Sequence, residues 1–162
     1  MQLSPHFALS ELTVTTRRDG SDIDKDGDTK ELMPNVPTDA HLGAMARLCM
    51  DILEPIRQKF GPVVIHSGYR SAAVNAAIGG SATSQHSKGQ AADFHCTNAS
   101  LETVMRWIVM ESGLPYGQVI IEKSKPGQYT WLHISLGSPY RKQERCLMAL
   151  TFDGAKYAVW KP

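Results

Sequence analysis

Residues 84–93 read Ser-Gln-His-Ser-Lys-Gly-Gln-Ala-Ala-Asp, and the rest of the chain is organised around them. Gly89 permits a sharp turn in the middle of the stretch. The small residues after it lead into a predicted buried strand, Ala91–His95. Because alternate side chains of a strand share a face, Asp93 points to the same face as His95. The stretch therefore predicts a tight turn that carries His86 and a strand that carries Asp93.

His86 and Asp93 are the kinds of side chain that zinc accepts as ligands. A catalytic zinc has three protein ligands and one open position. The best third ligand is His133, in the segment Tyr-Thr-Trp-Leu-His-Ile-Ser, which its aromatic and β-branched residues predict to be a strand. Taken alone, this spacing leaves two interpretations open, a zinc site and a hydrogen-bonded surface pair beside a turn.

Several further motifs surround these residues in a fixed order. They are S-G-Y-R-S at 67–71, Asn75, Gly79-Gly80, S-x-H-x-x-G-x-A-x-D at 84–93 and W-x-H-x-S at 131–135. Together they resemble the family of zinc D-alanyl-D-alanine carboxypeptidases and L-alanyl-D-glutamate endopeptidases, which has the hedgehog-type fold. The resemblance runs from about Leu3 to Gly137 and is closest to the single-domain members found in phages.

The resemblance implies a zinc ion (Zn2+) bound by His86, Asp93 and His133. It also implies that Arg70 binds the peptide substrate near its reacting end, since a planar guanidinium can grip a carboxylate through two hydrogen bonds. The alternative for Arg70 is an internal salt bridge that pins the turn.

Two neighbours of the first ligand, Ser84 and Gln85, complete the expected substrate-binding residues.

The general base is where the chain departs from the family. Many members have Glu three residues before the last histidine ligand, and others have His two residues before it; this chain has Thr130 and Trp131 there. Glu122, at the end of the preceding predicted strand, is the expected substitute, and His95 is the second choice. The alternative for Glu122 is an exposed carboxylate at the end of a strand.

Composition narrows the function further. The 162 residues are long enough for one domain, 1–162, and the net charge of +1 gives no reason to expect nucleic acid as a partner. Three scattered cysteines do not form a disulfide framework, which suits a reducing cytosol. We see no signal peptide and no membrane-spanning segment. The expectation is a monomer made in the cytoplasm.

The periodicity of apolar residues predicts an α+β fold, a small and mostly antiparallel sheet flanked by helices. Pro55 should kink or restart the longest helix. The predicted elements are helices at 38–60, 72–78 and 98–113, strands at 63–66, 91–95, 118–122 and 129–136, and a C-terminal hairpin at 147–160 around Asp153-Gly154.

A polar insertion at 17–35 interrupts the family pattern. Asp22, Asp24, Asp26, Gly27 and Asp28 copy the first half of a calcium loop. The last position of such a loop needs a bidentate Glu, and this chain has Met33 there. Calcium binding and a plain exposed turn both remain possible interpretations.

These features predict a zinc peptidase whose partner is the peptide stem of peptidoglycan. Such a protein would act on the cell wall after release from the cytoplasm, or as part of a phage particle. The alternative is a non-catalytic zinc-containing module that binds the wall or another protein and has lost its general base.

Overall fold

The computed structural model describes residues 1–14, 33–125, 128–137, 148–152 and 155–162. They form one mixed sheet with helices packed on one face and a small N-terminal hairpin beside them. This confirms the predicted α+β class. In the part of the chain so described, no helix is both long and apolar enough to cross a bilayer.

The helices follow the predicted apolar periodicity, with shifted ends. They are α1 (Leu9–Leu12), α2 (Asp39–Leu48), a π-helical turn (Cys49–Leu53), α3 (Glu54–Phe60), α4 (Ala72–Ala77), a 3₁₀ turn (His86–Lys88) and α5 (Leu101–Met110).

The strands form two sheets. In chain order they are β1 (Gln2–Ser4), β2 (Phe7–Ala8), β3 (Val63–Ser67), β4 (Ala91–Cys96), β5 (Tyr116–Lys125), β6 (Gln128–Leu136), β7 (Met148–Phe152) and β8 (Tyr157–Val159). β1 and β2 form the small hairpin, and the large sheet has the order β3-β4-β6-β5-β7-β8. All its neighbours are antiparallel except β5 and β7, which are parallel.

The two faces of the large sheet have different roles. One face packs on the helices and carries the fully buried apolar side chains of the central strands, such as Phe94, Ile121 and Leu132. The intervening residues, Asp93 and His133 among them, project to the opposite face. Alternation along the strands, as predicted, thus separates the core from the face that holds the candidate site.

Pro55 interrupts the long helix, as predicted, and the interruption takes the form of a π-helical turn just before it. Proline lacks the N–H that would continue the hydrogen-bond ladder, and its ring crowds the preceding turn. Widening that turn relieves the crowding, so the chain restarts as α3 with proline in its first turn.

Helix α5 is shorter at both ends than the predicted 98–113. Ser100 begins it, because its Oγ accepts a hydrogen bond from the Thr103 N–H (3.1 Å). The helix ends at Met110, before Gly113. The C-terminal hairpin forms from β7 and β8, as predicted. Most of the 17–35 insertion with its calcium-loop residues, and the turns at 126–127 and 153–154, lie outside the described residues.

Glu54, at the start of α3, anchors the N-terminal hairpin. Its Oε1 accepts hydrogen bonds from Ser4 Oγ (2.7 Å) and the His6 backbone N–H (2.8 Å), and its Oε2 lies 2.8 Å from His6 Nδ1. Burial opposes ionisation of Glu54, but these hydrogen bonds outweigh it and lower the pKa of the carboxyl.

We expect Glu54→Gln to lower the free energy of unfolding by about 1 kcal/mol at neutral pH, since hydrogen bonds to the charged carboxylate are lost while exposed His6 contributes little. Because the folded pKa lies below the unfolded value, this stabilisation is present above the unfolded pKa. It disappears as the pH falls through the folded pKa. Urea unfolding at several pH values measures it. Glu102→Gln, at an exposed position of α5, is the control, and an equal loss for both variants would contradict the assignment.

Candidate metal centre and cleft

The turn at His86 is built around a glycine. The 3₁₀ turn His86–Lys88 ends at Gly89, whose φ of 66° lies in the left-handed region. A Cβ there would also lie 2.8 Å from the backbone oxygen of His41. The left-handed turn at Gly89 agrees with the turn predicted from the sequence, and the close approach of α2 is a second reason why glycine is needed there. The turn places His86 beside β4, with its backbone oxygen accepting from the Arg70 N–H (3.2 Å).

The register of the sheet brings the other two predicted ligands together. Asp93 on β4 lies directly opposite His133 on β6. Asp93 Oδ1 is 2.9 Å from His133 Nδ1 and 3.2 Å from His86 Nε2, and the two histidine nitrogens are 3.2 Å apart. All three residues are at least nine-tenths buried. We call His86, Asp93 and His133 the triad.

A backbone carbonyl fixes the proton on His86. His86 Nδ1 lies 2.7 Å from the Gly68 oxygen, and a carbonyl can only accept, so Nδ1–H donates. In the neutral imidazole Nε2 then carries a lone pair, directed at Asp93 and His133. This arrangement, with one ring nitrogen bonded to a carbonyl and the other offered to an ion, is usual for metal-binding histidines.

The position of Gly68 allows no side chain. A Cβ on it would overlap the Leu12 carbonyl oxygen and lie 2.8 Å from the Leu12 Cα. We expect Gly68→Ala to cost about 1–3 kcal/mol of unfolding free energy, because the backbone must move. It should also weaken metal binding, because the carbonyl that orients His86 moves with it. Thermal unfolding and zinc titration measure both effects.

Gly43→Ala is the matched control. A Cβ at Gly43 meets nothing within 4 Å, and the residue lies inside α2. Alanine is there expected to stabilise the helix slightly and leave zinc affinity unchanged. Zinc affinity of Gly68→Ala equal to that of wild type would show that the Gly68 carbonyl does not orient the ligand.

Asp93 is held as a carboxylate. Burial opposes its ionisation, but the positive charges that His86 and His133 carry when protonated, together with their hydrogen bonds, outweigh burial, and the pKa of Asp93 lies well below its usual value. Asp93 Oδ2 also accepts a hydrogen bond from Arg70 Nη2 (3.0 Å), while Arg70 Nε donates to Ser67 Oγ (2.8 Å). One carboxylate oxygen is thus taken by Arg70, and the other faces the two imidazoles.

The triad fits a small divalent cation. Atoms bound to a tetrahedral zinc at about 2.0–2.1 Å lie roughly 3.3 Å from one another. The three separations of 2.9–3.2 Å need only a slight expansion to reach that value. Lone pairs that converge in this way repel one another unless a cation or a shared proton lies among them. Two imidazoles and a carboxylate are a donor set that suits zinc.

The triad lies in an open cleft of about 350 Å³. Its remaining wall is formed by Arg70 and by residues of the 80–85 loop, β5 and β8. The lining residues are Arg70, Gly80, Ser81, Thr83, Ser84, Gln85, Gln118, Ile120, Glu122 and Tyr157, together with the triad. The three residues expected to bind substrate, Arg70, Ser84 and Gln85, therefore all face the same space as the triad.

The two candidate bases are placed differently. Glu122 lines the cleft, and its Oε2 accepts a hydrogen bond from Trp131 Nε1 (2.9 Å), its partner across β5 and β6. His95 is not among the residues that line the cleft. Its Nδ1 lies 2.7 Å from His66 Nε2, and the two rings stack with centroids 4.9 Å apart. The geometry favours Glu122 over His95.

The cleft also contains residues that sequence reasoning missed. Gln118 could have been found, since it shares the face of Glu122 by strand alternation. Tyr157 had no comparable signal, because its place depends on which strand the C-terminal hairpin joins.

Comparison with known proteins agrees with this geometry. A family model described as Peptidase M15 matches residues 5–125, well over half of the chain. The match includes His86 and Asp93 and ends before His133, whose place beside them is given by the sheet register. No curated protein matches the chain.

Proposed function

The chain belongs to the Peptidase M15 family, and on that premise we propose that it is a zinc-dependent peptidase that hydrolyses the peptide stem of bacterial peptidoglycan. The observation that carries the proposal is the buried triad at the bottom of an open cleft. When bound, zinc would act as a Lewis acid toward the peptide carbonyl and would bring the pKa of a water molecule near neutrality. His86, Asp93 and His133 are the residues that would hold it.

Glu122 is the proposed general base. It takes the place of the Glu or His that other family members carry before the last ligand. Trp131 occupies one of those positions, and its indole N–H holds the Glu122 carboxylate from the neighbouring strand. At this level of the sheet a base would face the same cleft whether β5 or β6 carried it. Glu122 would accept the proton of the attacking water and pass it to the leaving amine.

Arg70 combines the two roles that the sequence left open. Its hydrogen bonds to Asp93 and Ser67 pin the turn. Within the described residues its Nη1 group makes no hydrogen bond, and the side chain lines the cleft. We propose that Nη1 binds a carboxylate of the stem peptide while Nη2 keeps Asp93 oriented.

We further propose that the protein is a monomer and a phage or prophage enzyme, acting in lysis or from the virion. It would reach the wall after release from the cytoplasm. Because the net charge is only +1, the proposal includes no nucleic acid among the partners.

Digestion of purified peptidoglycan tests the function. Zinc-loaded protein should release products that are identified by mass spectrometry, and a chelator should stop the release. Loss of terminal alanine would identify a carboxypeptidase, and a cut near the start of the stem an endopeptidase. No product from any wall preparation would overturn the proposal.

The same assay tests the alternative function, that of a non-catalytic binding module. Thr130 and Trp131, where relatives carry a base, are the observation in its favour. Retention of the protein on walls without any cleavage would support it.

A further inference from the structure

Tyr157 is one of the cleft residues that the proposed mechanism does not use, and it brings a phenol to the cleft. It lies on β8, at the edge of the sheet and beyond the part of the chain that the family model matches. It nevertheless lines the same cleft as Glu122 and His133. The C-terminal hairpin thus adds a phenol to a site whose other members come from the matched segment and β6.

The sheet register explains how this happens. Glu122 on β5 is paired with Phe152 on the parallel strand β7, and Phe152 is paired with Tyr157 on β8. Paired residues on neighbouring strands project to the same face. Neighbouring strands lie about 4.8 Å apart, so the backbone of Tyr157 is roughly 10 Å from that of Glu122. The two side chains can span this gap. The ring of Phe152 packs on that of Tyr157, with centroids 4.6 Å apart.

The phenol of Tyr157 is a proton donor that the fold leaves unused. Within the described residues its O–H makes no hydrogen bond, and the residue is 61% exposed. Partial burial and then the charge of Glu122 raise the pKa of Tyr157, so the phenol keeps its proton at neutral pH.

We propose that Tyr157 is a further catalytic residue, whose O–H donates a hydrogen bond to the carbonyl oxygen of the scissile peptide. This inference rests on the proposed function. Hydrolysis adds water across the C–N bond, with OH going to the carbonyl carbon and the proton to the leaving amine. Negative charge develops on the carbonyl oxygen in between, and a donor directed at that oxygen stabilises the transition state more than the ground state. Tyr157 keeps its proton throughout.

Tyr157→Phe is the test, because it keeps the ring that packs on Phe152 and removes only the O–H. We expect kcat on a muropeptide to fall about 10- to 100-fold with KM within about twofold. Zinc content and melting temperature should match those of wild type. Val159→Ala is the control, since Val159 is 73% exposed on the same strand and is not among the residues that line the cleft.

A second measurement checks the proximity without turnover. Phenolate absorbance is titrated in metal-free wild type, Tyr157→Phe and Glu122→Gln. The titration step that is present in wild type and absent in Tyr157→Phe belongs to Tyr157. In Glu122→Gln this step should move to lower pH, because the neighbouring negative charge is gone. An unmoved transition would show that the groups are apart and would contradict the inference.

The outcomes separate the two proposals. Active wild type with unchanged kcat in Tyr157→Phe overturns the inference alone. A raised KM with unchanged kcat also overturns it, since it would show a contact made equally in ground state and transition state. Wild type without turnover overturns the proposed function and this inference with it.

Discussion

Purified wild-type protein is expected to carry about one zinc per chain, and His133→Ala is expected to lose it. Truncation leaves two ligands of three and removes the nitrogen that lies 2.9 Å from Asp93 Oδ1. Since changing a residue that merely supports a ligand costs about 10- to 100-fold in affinity, loss of a ligand should cost at least about 100-fold. Metal analysis after dialysis, and competition with a chromophoric chelator, measure the change.

Stability provides a second measurement of the same loss. An ion that binds only the folded state at 100 times its Kd stabilises by about 2.7 kcal/mol. Chelator should therefore lower the melting temperature of wild type and leave that of His133→Ala unchanged. If the buried position does not tolerate alanine, Asp93→Asn keeps the shape of the side chain and removes the charge, and the same two readouts apply.

His95→Ala is the matched control for His133→Ala. His95 lies two residues from Asp93, and its ring is bonded to His66 rather than to the triad. The control should keep its zinc. Full metal content in His133→Ala, or equal loss in both variants, would show that the ligand assignment is wrong.

Much of the triad could be predicted because it depends on local rules. Gly89 indicates a left-handed turn, and alternation in Ala91–Cys96 puts Asp93 on the face opposite Phe94. What those rules leave open is the partner strand. His133 lies opposite Asp93 only because β4 and β6 are neighbours in this register, and the family resemblance supplied that information.

The C-terminal hairpin shows where sequence reasoning stops. Its two strands could be predicted from Leu147–Trp160, but their attachment to β5 could not. A parallel pairing such as β5 with β7 depends on contacts remote in sequence, and no local pattern encodes it. Tyr157 therefore entered the cleft without a sequence signal. The predicted span of α5 was too wide at both ends; the sequence offers Asn98 and Ser100 as caps, and the structure uses Ser100.

The same limit applies to the general base. Thr130 and Trp131 suggest a lost base if β6 is considered alone, and this is why a binding module remained an alternative. The structure pairs Trp131 with Glu122, so that the indole N–H of one strand holds the carboxylate of the next. In the proposed mechanism the general base is therefore carried by β5, the strand next to the one that carries His133.

Glu122→Gln is expected to keep one zinc per chain and to lower turnover of a muropeptide by about 10²–10⁴-fold. The amide oxygen of glutamine can still accept the hydrogen bond from Trp131, so the packing of the cleft is preserved. What disappears is the ability to take a proton from water. The effect should therefore fall on kcat, with zinc affinity and melting temperature close to those of wild type.

Two controls make the comparison with the other candidates direct. Glu111→Gln removes an exposed carboxylate beyond α5 and should leave turnover unchanged. His95→Ala removes the rival base, and a loss confined to this variant would transfer the role to His95. Unchanged turnover in Glu122→Gln would remove Glu122 from the mechanism. Zinc-loaded Glu122→Gln that binds walls but does not cut them, beside a wild type that does both, would show that this one carboxylate separates a peptidase from a binding module on the same fold.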